Sequence, residues 1–599
     1  MSKVLTTDVL VVGSGPAGSA TAALLSTYGV ANVQVTRFGW LADTPRAHIT
    51  NQRAMEVLRD LGLEERANRY STHQNLMANN VFCYSLQGEE FGRVMSWGNH
   101  PLRKADYELA SPTAICDLPQ TFLEPILLEA AASRGTSVRF NTELVDLIQD
   151  ADGVTATMKD RQIGETYPIR CKYLVGADGA RSRIAELINL PMEGQMGLSG
   201  SMNIHFDADL SKFVAYRPSV LYWILQPGSN IDGIGAGVMR MVRPWNEWLA
   251  IWGYDISLGE RRLSDDEAKQ ILYKMIGVED LPIKIRSIST WTVNNQYATR
   301  YSNGRVFCMG DAVHRHPPLN GLGSNTSIQD AYNLAWKLKL VIENKADPSL
   351  LETYDAERAP IGKQIVTRAN ASIEDYPPIF DALGMLSAKD PQEALAAIQS
   401  RKNADETGKA RRRKLNEAIR QKNYEFNAHG VELNQRYQSS AVVPDGTPQP
   451  AYQRDQELYY QATTWPGAHL PHSWVEHKGK RKSTLDLCGQ GRFTLLTGLG
   501  GEAWRHAAAE VERRFGIPVA VVSIGPSGCD ALDIYAEWYW NCEIEEDGCL
   551  LVRPDNYVAW RARCMSVDAE SRLLEVFRRI LGQTAKLVEQ TAHGIREPA

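Results

Sequence analysis

Residues 7–38 read TDVLVVGSGPAGSATAALLSTYGVANVQVTRF. Val9 to Val12 form a run of β-branched residues and leucine, the composition of a buried parallel strand. Gly13, Gly15 and Gly18 follow at G-x-G-x-x-G spacing, Ala20 to Tyr28 read as a helix, and Gly29 closes it. Val33 and Val35 open a second strand. Gly13 permits a tight turn, Gly15 leaves room for a pyrophosphate against the backbone, and Gly18 lets the helix pack closely on the strand. The helix N-terminus then faces the phosphates. Gly13, Gly15, Pro16, Ala17 and Gly18 are therefore candidate contacts of a dinucleotide, at the head of a Rossmann-like α/β domain. One expected feature is missing: an acidic residue about 20 positions on, to hold the ribose. Thr36 and Arg37 stand there instead, and Arg37 is a candidate to stack on an adenine or meet a phosphate.

Two later segments extend the pattern. In YLVGADGARSRIAE, Asp178 and Gly179 follow a strand at Tyr173 to Val175. In RVFCMGDAVHRHPPLNGLGSNTSIQDAYNLAWKL, Gly310 and Asp311 follow another at Val306 to Met309. Pro317 and Pro318 commit the next loop to an extended path. Gly321 and Gly323 let backbone N–H groups turn inward. Asn325 is expected to start a helix with Ala331, Leu334, Ala335 and Leu338 on one face. G-x-G-x-x-G, then D-G, then G-D, widely separated in that order, resembles the class A flavoprotein aromatic hydroxylases over roughly the first 375 residues.

That resemblance implies FAD as cofactor, NADPH or NADH as co-substrate, and O2 as oxidant through a flavin C4a-hydroperoxide. It implies that Asp311 meets the ribityl chain, and that Gly323, Ser324 and Asn325 face the N1–C2=O edge of the flavin. Asp178 matches the residue between flavin and nicotinamide entry; Arg46 and Gln120 match pyrophosphate and ribose contacts. Plainer alternatives are a helix or turn cap for Asp311, an Asp-Gly turn for Asp178, an exposed Arg and a polar helix start.

The text HITNQR together with ASPTAICDLPQ is similar to the phenol-hydroxylating branch of that family. In that branch, residues matching His48 and Asp117 sit beside the substrate hydroxyl. The resemblance implies ortho hydroxylation of a phenol or chlorophenol to a catechol. The chemistry of the two side chains agrees. A phenol resembles Tyr, with a pKa of about 10, so a base must help to form the electron-rich phenolate at neutral pH. Histidine, with an ordinary pKa of about 6.5, suits the task, and Asp117 can hold its tautomer. The alternative is a packed histidine near a helix start; His314 and His316 are runners-up whose place in the flavin loop suggests structural roles. Other readings are a hydroxylase of another aromatic, such as a 2-substituted phenol or a polyketide, and a non-catalytic FAD-binding scaffold.

Residues 191–295 alternate as strands do, in GSMNIHFDADL, SVLYWILQ and WLAIWGYDI. By resemblance this inserted sheet roofs the substrate pocket, with Trp223 or Tyr222 as a wall. Alternation allows only one of these neighbours to face it. The expected division is 1–190 and 296–375 for the FAD-binding domain, 191–295 for the substrate sheet, 376–450 for a helical segment and linker, and 451–599 for a C-terminal domain that resembles thioredoxin. KARRRKLNEAIRQKNYEF reads as a helix with a solvated basic face, and VVPDGTPQPAYQ as an interdomain link.

With 599 residues, 43% of them hydrophobic, the chain can bury several cores. A net charge of -6 argues against a nucleic-acid partner. No apolar run is long enough for a bilayer, and no signal peptide opens the chain. The nine cysteines lack C-x-x-C spacing, so no metal site is expected, Cys488 has no resolving partner, and a reducing cytoplasm is the expected location. A homo-oligomer is expected.

Overall fold

The opening strand is longer than its apolar run. It spans Leu5–Val12, and the helix after the glycine turn begins at Pro16 rather than Ala20 and ends at Thr27. Proline suits a first helical position because its missing N–H needs no partner there. The computed structural model describes residues 4–227, 237–259, 262–565 and 567–583. Leu5–Val12 lies between Asn32–Val35 and Thr166–Gly176, and Val306–Cys308 pairs with the latter, all in parallel. The register aligns Val12 with Val35 and Gly176, and Gly176 with Cys308. The glycine turn, the D-G turn and the G-D turn therefore leave one edge of one sheet. Ligands of open α/β sheets bind at that carboxyl edge.

A second sheet has eight strands, running from His314–Arg315 through Lys284–Ala298, Met192–Asp207, Glu247–Tyr254, Gly237–Arg243, Ser219–Ile224 and Asn79–Cys83 to Glu90–Met95. Two strands thus come from the stretch that sequence alone gives to the nucleotide domain, and one from the flavin loop. The fold interleaves the two units more than a boundary at residue 190 implies. The first part of segment 376–450, as far as Phe426, also belongs with this sheet: Tyr376, Ile379, Phe380, Leu415, Ile419 and Phe426 share its buried core with Phe82 and Trp223. Helix Glu406–Gln421 turns Leu415, Ala418 and Ile419 inward and most of its charged side chains out. VVPDGTPQPAYQ is tethered rather than loose: Val443 N–H donates to the Ala559 carbonyl at 2.8 Å, and Asp445 pairs with Arg561. Its prolines prevent regular structure without preventing packing.

The C-terminal sheet has seven strands. In its centre Phe493–Thr497 pairs in parallel with Val519–Gly525 and antiparallel with Cys549–Val552, which pairs antiparallel with Val558–Ala562. Helices Glu502–Phe515 and Ala569–Ile580 pack together, with Phe515 stacked on Phe577.

This domain is joined to the rest by buried charge. The Arg553 guanidinium donates to both Glu357 oxygens at 2.6 and 2.8 Å and to Asp555 at 2.6 and 3.0 Å. Lys337 donates to Glu357 at 2.8 Å, and Arg53 to the Asp555 carbonyl at 2.7 Å. Arg53 also pairs with Glu56, which His469 meets at 3.0 Å. All these side chains are buried. Burial alone would raise the Glu357 carboxyl, but Arg553 and Lys337 outweigh it and hold it far below its ordinary value. Among the described residues, no helix is long and apolar enough to cross a membrane.

Candidate active site

The first turn has the shape that a pyrophosphate needs. Gly13 has φ +124°, and a Cβ there would collide with the Ala177 carbonyl; one on Gly18 would collide with the Gly13 carbonyl. At Gly15 the space is open, the nearest atom to a Cβ being Glu124 Oε1 at 3.9 Å. The helix from Pro16 has no side-chain cap, and neither has Gly323–Ile342. Gly310 packs between Ala17 and Ser327, which brings these two uncapped helix starts side by side. Free N–H groups and positive helix ends converge there, so the groove fits a dinucleotide with an anionic centre.

The other cofactor candidates fall into two groups. Asp311 is exposed in the turn Gly310–Ala312, Arg46 is exposed in the loop before His48, and Pro318 is exposed at the start of Leu319–Gly321. Gly321 has φ +64° and abuts Ile49. These remain open to a ligand. Three polar side chains are engaged within the fold. Asp178 accepts from Ser182 Oγ at 2.5 Å and from the Ile184 N–H at 3.2 Å, so its carboxylate secures the short helix Arg183–Leu187. Asn325 does not start its helix, which begins at Gly323 with Ser324 next. Its amide donates to the Ile49 and Gly321 carbonyls at 2.8 and 2.6 Å and accepts the Asn51 N–H at 3.0 Å. Gln120 donates to Glu124 at 2.6 Å. Arg37 is exposed, with its guanidinium 5.0 Å from the Phe38 ring centre.

His48 and Asp117 meet although they are far apart in sequence. Ile49–Thr50 and Cys116–Asp117 pair antiparallel in a three-stranded ribbon, with Ile49 opposite Asp117. The register brings His48 Nδ1 to 2.7 Å from Asp117 Oδ2. A carboxylate only accepts, so Nδ1 carries the proton and Nε2 keeps its lone pair. His48 is 14% exposed and Asp117 fully buried, which leaves the imidazole reachable along one edge. Arg240 comes from the second sheet: it stands 3.7 Å from Asp117 Oδ1 and donates to the Pro45 and Arg46 carbonyls. Burial lowers the His48 pKa below 6.5, Arg240 lowers it further, and Asp117 partly compensates. The imidazole is thus neutral, and able to accept a proton, at neutral pH.

Pairing within the sheet separates the two aromatic candidates. Leu221 lies opposite Arg240 and Trp223 opposite Val238, so Trp223 shares the face that reaches the dyad. It packs on Tyr376 and Phe82, with ring centres 4.7 and 6.1 Å away. Tyr222 is on the other face, against Trp248, with its hydroxyl donating to the Arg217 carbonyl at 3.0 Å. That hydroxyl is satisfied away from the dyad.

Sequence reasoning missed Arg240, which sits in an apolar strand; a lone arginine in VMRMV was the available signal. It also missed Asp330, which accepts from Gly310 N–H at 3.1 Å and Arg358 at 2.7 Å, while His314 Nε2 lies 2.9 Å from it. His314 thus supports the G-D turn. His316 meets the Pro317 carbonyl at 2.6 Å, and burial with His314 nearby lowers its pKa to about 4. Among the described residues no cluster of three or more His, Cys, Asp or Glu could hold a metal ion.

Comparison with known proteins agrees with this geometry. Residues 6–369 match the FAD binding domain family, and residues 463–584 match the aromatic-ring hydroxylase C-terminal family. The chain is 55% identical to 2,4-dichlorophenol 6-monooxygenase of Delftia acidovorans, over 96% of this chain and 98% of that one. It is 49% identical to phenol 2-monooxygenase of Pseudomonas sp. (strain EST1001), over 96% and 93%. Among solved structures, the flavin-dependent monooxygenase PieE, crystallised with FAD and substrate, superposes with a TM-score of 0.93 at 45% identity, covering 97% of this chain and 99% of that one.

Proposed function

The chain belongs to the FAD-binding aromatic-ring hydroxylases, and on that premise we propose that it hydroxylates a phenol or chlorophenol ortho to its hydroxyl, giving a catechol. The observation that carries this reading is the buried pair His48–Asp117, with a neutral imidazole edge open to a ligand. FAD, when bound, carries electrons from a nicotinamide to O2 and delivers one oxygen atom to the ring. The turn at Gly13 to Gly18 and the N-terminus of Gly323–Ile342 would hold it, with Asp311 and Arg46 open to the same groove. The protein's own task at the ring is proton removal. His48 Nε2 accepts the phenol proton, Asp117 fixes the tautomer and steadies the imidazolium, and the phenolate is far richer in electrons than the phenol. The strand register, which puts Trp223 on the Arg240 face, supports Trp223 rather than Tyr222 as a wall for the ring.

The nicotinamide is NADPH or NADH, visiting transiently, since the sequence carries no second dinucleotide turn. The strand order of the C-terminal domain supports a thioredoxin-like fold. Burial raises Cys488 above the ordinary thiol range, which suits packing rather than thiol chemistry. Exposed Tyr535, Tyr539 and Trp540 on that domain support a homo-oligomer, and the free cysteines support a cytoplasmic location. A polyketide substrate is the weaker reading, because putative polyketide hydroxylases of Streptomyces stand at 29% and 31% identity against 55% for the chlorophenol relative. The test is a panel of phenols with NADPH or NADH and 18O2. Phenol-dependent reductant oxidation with one labelled oxygen in a catechol supports the reading; oxidation indifferent to phenol, or unlabelled product, defeats it.

A further inference from the structure

Dinucleotide folds commonly hold the adenosine ribose with an acid at the end of the second strand. Here that place is closed. Thr36 is buried, and its Oγ1 accepts from Ser14 Oγ at 3.0 Å and from the Phe38 N–H at 3.4 Å. Arg37 points outward. Yet a carboxylate stands at the same turn, brought by another element. Glu124, one helical turn into Gln120–Ser133, is 2% exposed. Its Oε1 accepts from Gln120 Nε2 at 2.6 Å, its Oε2 accepts the Ala42 N–H at 2.8 Å, and Oε1 is the nearest atom to the open side of Gly15. Among the described residues no cation pairs with it within 4.0 Å. A buried carboxylate facing only two neutral donors is a costly arrangement, and each oxygen retains accepting capacity. Burial raises its pKa, with the Gln120 and Ala42 donors and Arg46 acting against that.

We propose that Glu124 takes over the ribose-binding role: its carboxylate accepts a hydrogen bond from a hydroxyl of the adenosine ribose of FAD. The proposal rests on FAD being the dinucleotide held. It makes Glu124 a cofactor-binding residue and explains why the second strand can end in Thr36 and Arg37 without losing the contact.

The test is titration of the flavin-free protein, followed by quenching of flavin fluorescence, with three ligands: FAD, an FAD analogue whose adenosine ribose lacks the 2′ and 3′ hydroxyls, and FMN. The wild-type protein should bind the analogue about tenfold more weakly than FAD, the usual size for a hydrogen bond to a charged group. Glu124→Gln should lose a similar factor for FAD and no further factor for the analogue, and should bind FMN as the wild type does. Equal affinity of the wild type for FAD and the analogue overturns the proposal without any variant having to fold. So does an equal loss by Glu124→Gln for all three ligands, which would make Glu124 a mere support for Gln120 and the Ala42 loop. If the wild type binds no flavin in any arm, the premise itself is lost, and that outcome is distinguishable from both.

Discussion

At the scale of single residues, the proposed base His48 is tuned by two opposite neighbours. Arg240 and burial push His48 down, while Asp117 pulls it up. A base works in its neutral form, so activity should fall as pH drops through the His48 pKa. That fall should lie on the acid side of 6.5. Arg240→Met removes a lowering charge and should move it to higher pH; Asp117→Asn removes a raising one and should move it lower. The pH dependence of kcat/KM for the two variants checks these signs, and a shift in the same direction for both refutes the scheme. His48→Ala should slow phenol hydroxylation by about 10²- to 10⁴-fold while FAD stays bound. The loss should shrink at high pH and for polychlorinated phenols, which ionise without help. Rates measured with phenol and a trichlorophenol across pH separate this from a purely steric role, which would cost both substrates equally at every pH.

At the scale of elements, strand Ser219–Ile224 divides its aromatics between two faces. Trp223→Ala should raise KM for the phenol several-fold, and Tyr222→Phe should leave KM unchanged, because the Tyr222 hydroxyl is spent on Arg217. Steady-state kinetics decides, and an equal effect of both would contradict the register. Helix Gly323–Ile342 and the G-D turn are clasped by Asp330 and Arg358, both buried. Asp330→Ala leaves Arg358 and His314 without that partner, at a cost of about 3–5 kcal/mol. FAD should therefore be released at lower urea than from the wild type, as flavin fluorescence would report. Local pattern made the glycine turns, the alternating strands and the helix after the flavin loop legible, because period and turn chemistry are short-range signals. Strands Asn79–Cys83 and Glu90–Met95 were not: they pair with each other locally, but Asn79–Cys83 joins the large sheet through Ser219–Ile224, far along the chain. The pairing of His48 with Asp117 was readable only through family resemblance, since the ribbon that aligns them has two-residue strands.

At the scale of the whole molecule, the C-terminal domain is bound to the rest by a buried ion cluster, so it is no dispensable appendage. Ending the chain near residue 440 keeps every cofactor motif but strips Arg553 and Asp555 from Glu357, Lys337 and Arg53. The face that the domain covered, Trp336 against Phe493 included, is then bared to water with its charges unpartnered, and such a protein should be recovered insoluble or without flavin. Arg553→Met should cost about 3–5 kcal/mol in urea unfolding, because among the described residues it leaves Glu357 with Lys337 as its one cationic hydrogen-bond donor. Cys488→Ser should leave turnover intact. Recovery of a stable, flavin-loaded truncation would refute this account of the interface. The molecule also hangs the proposed base and the Arg240 that tunes it on separate frames. His48, the proposed proton acceptor, sits on a small ribbon anchored through Asn325 to helix Gly323–Ile342, whereas Arg240 shares one face of the large sheet with Leu221, Val238, Leu249 and Ile251. Redesign toward other aromatics can therefore vary those four neighbours only so far as Arg240 keeps its place beside Asp117.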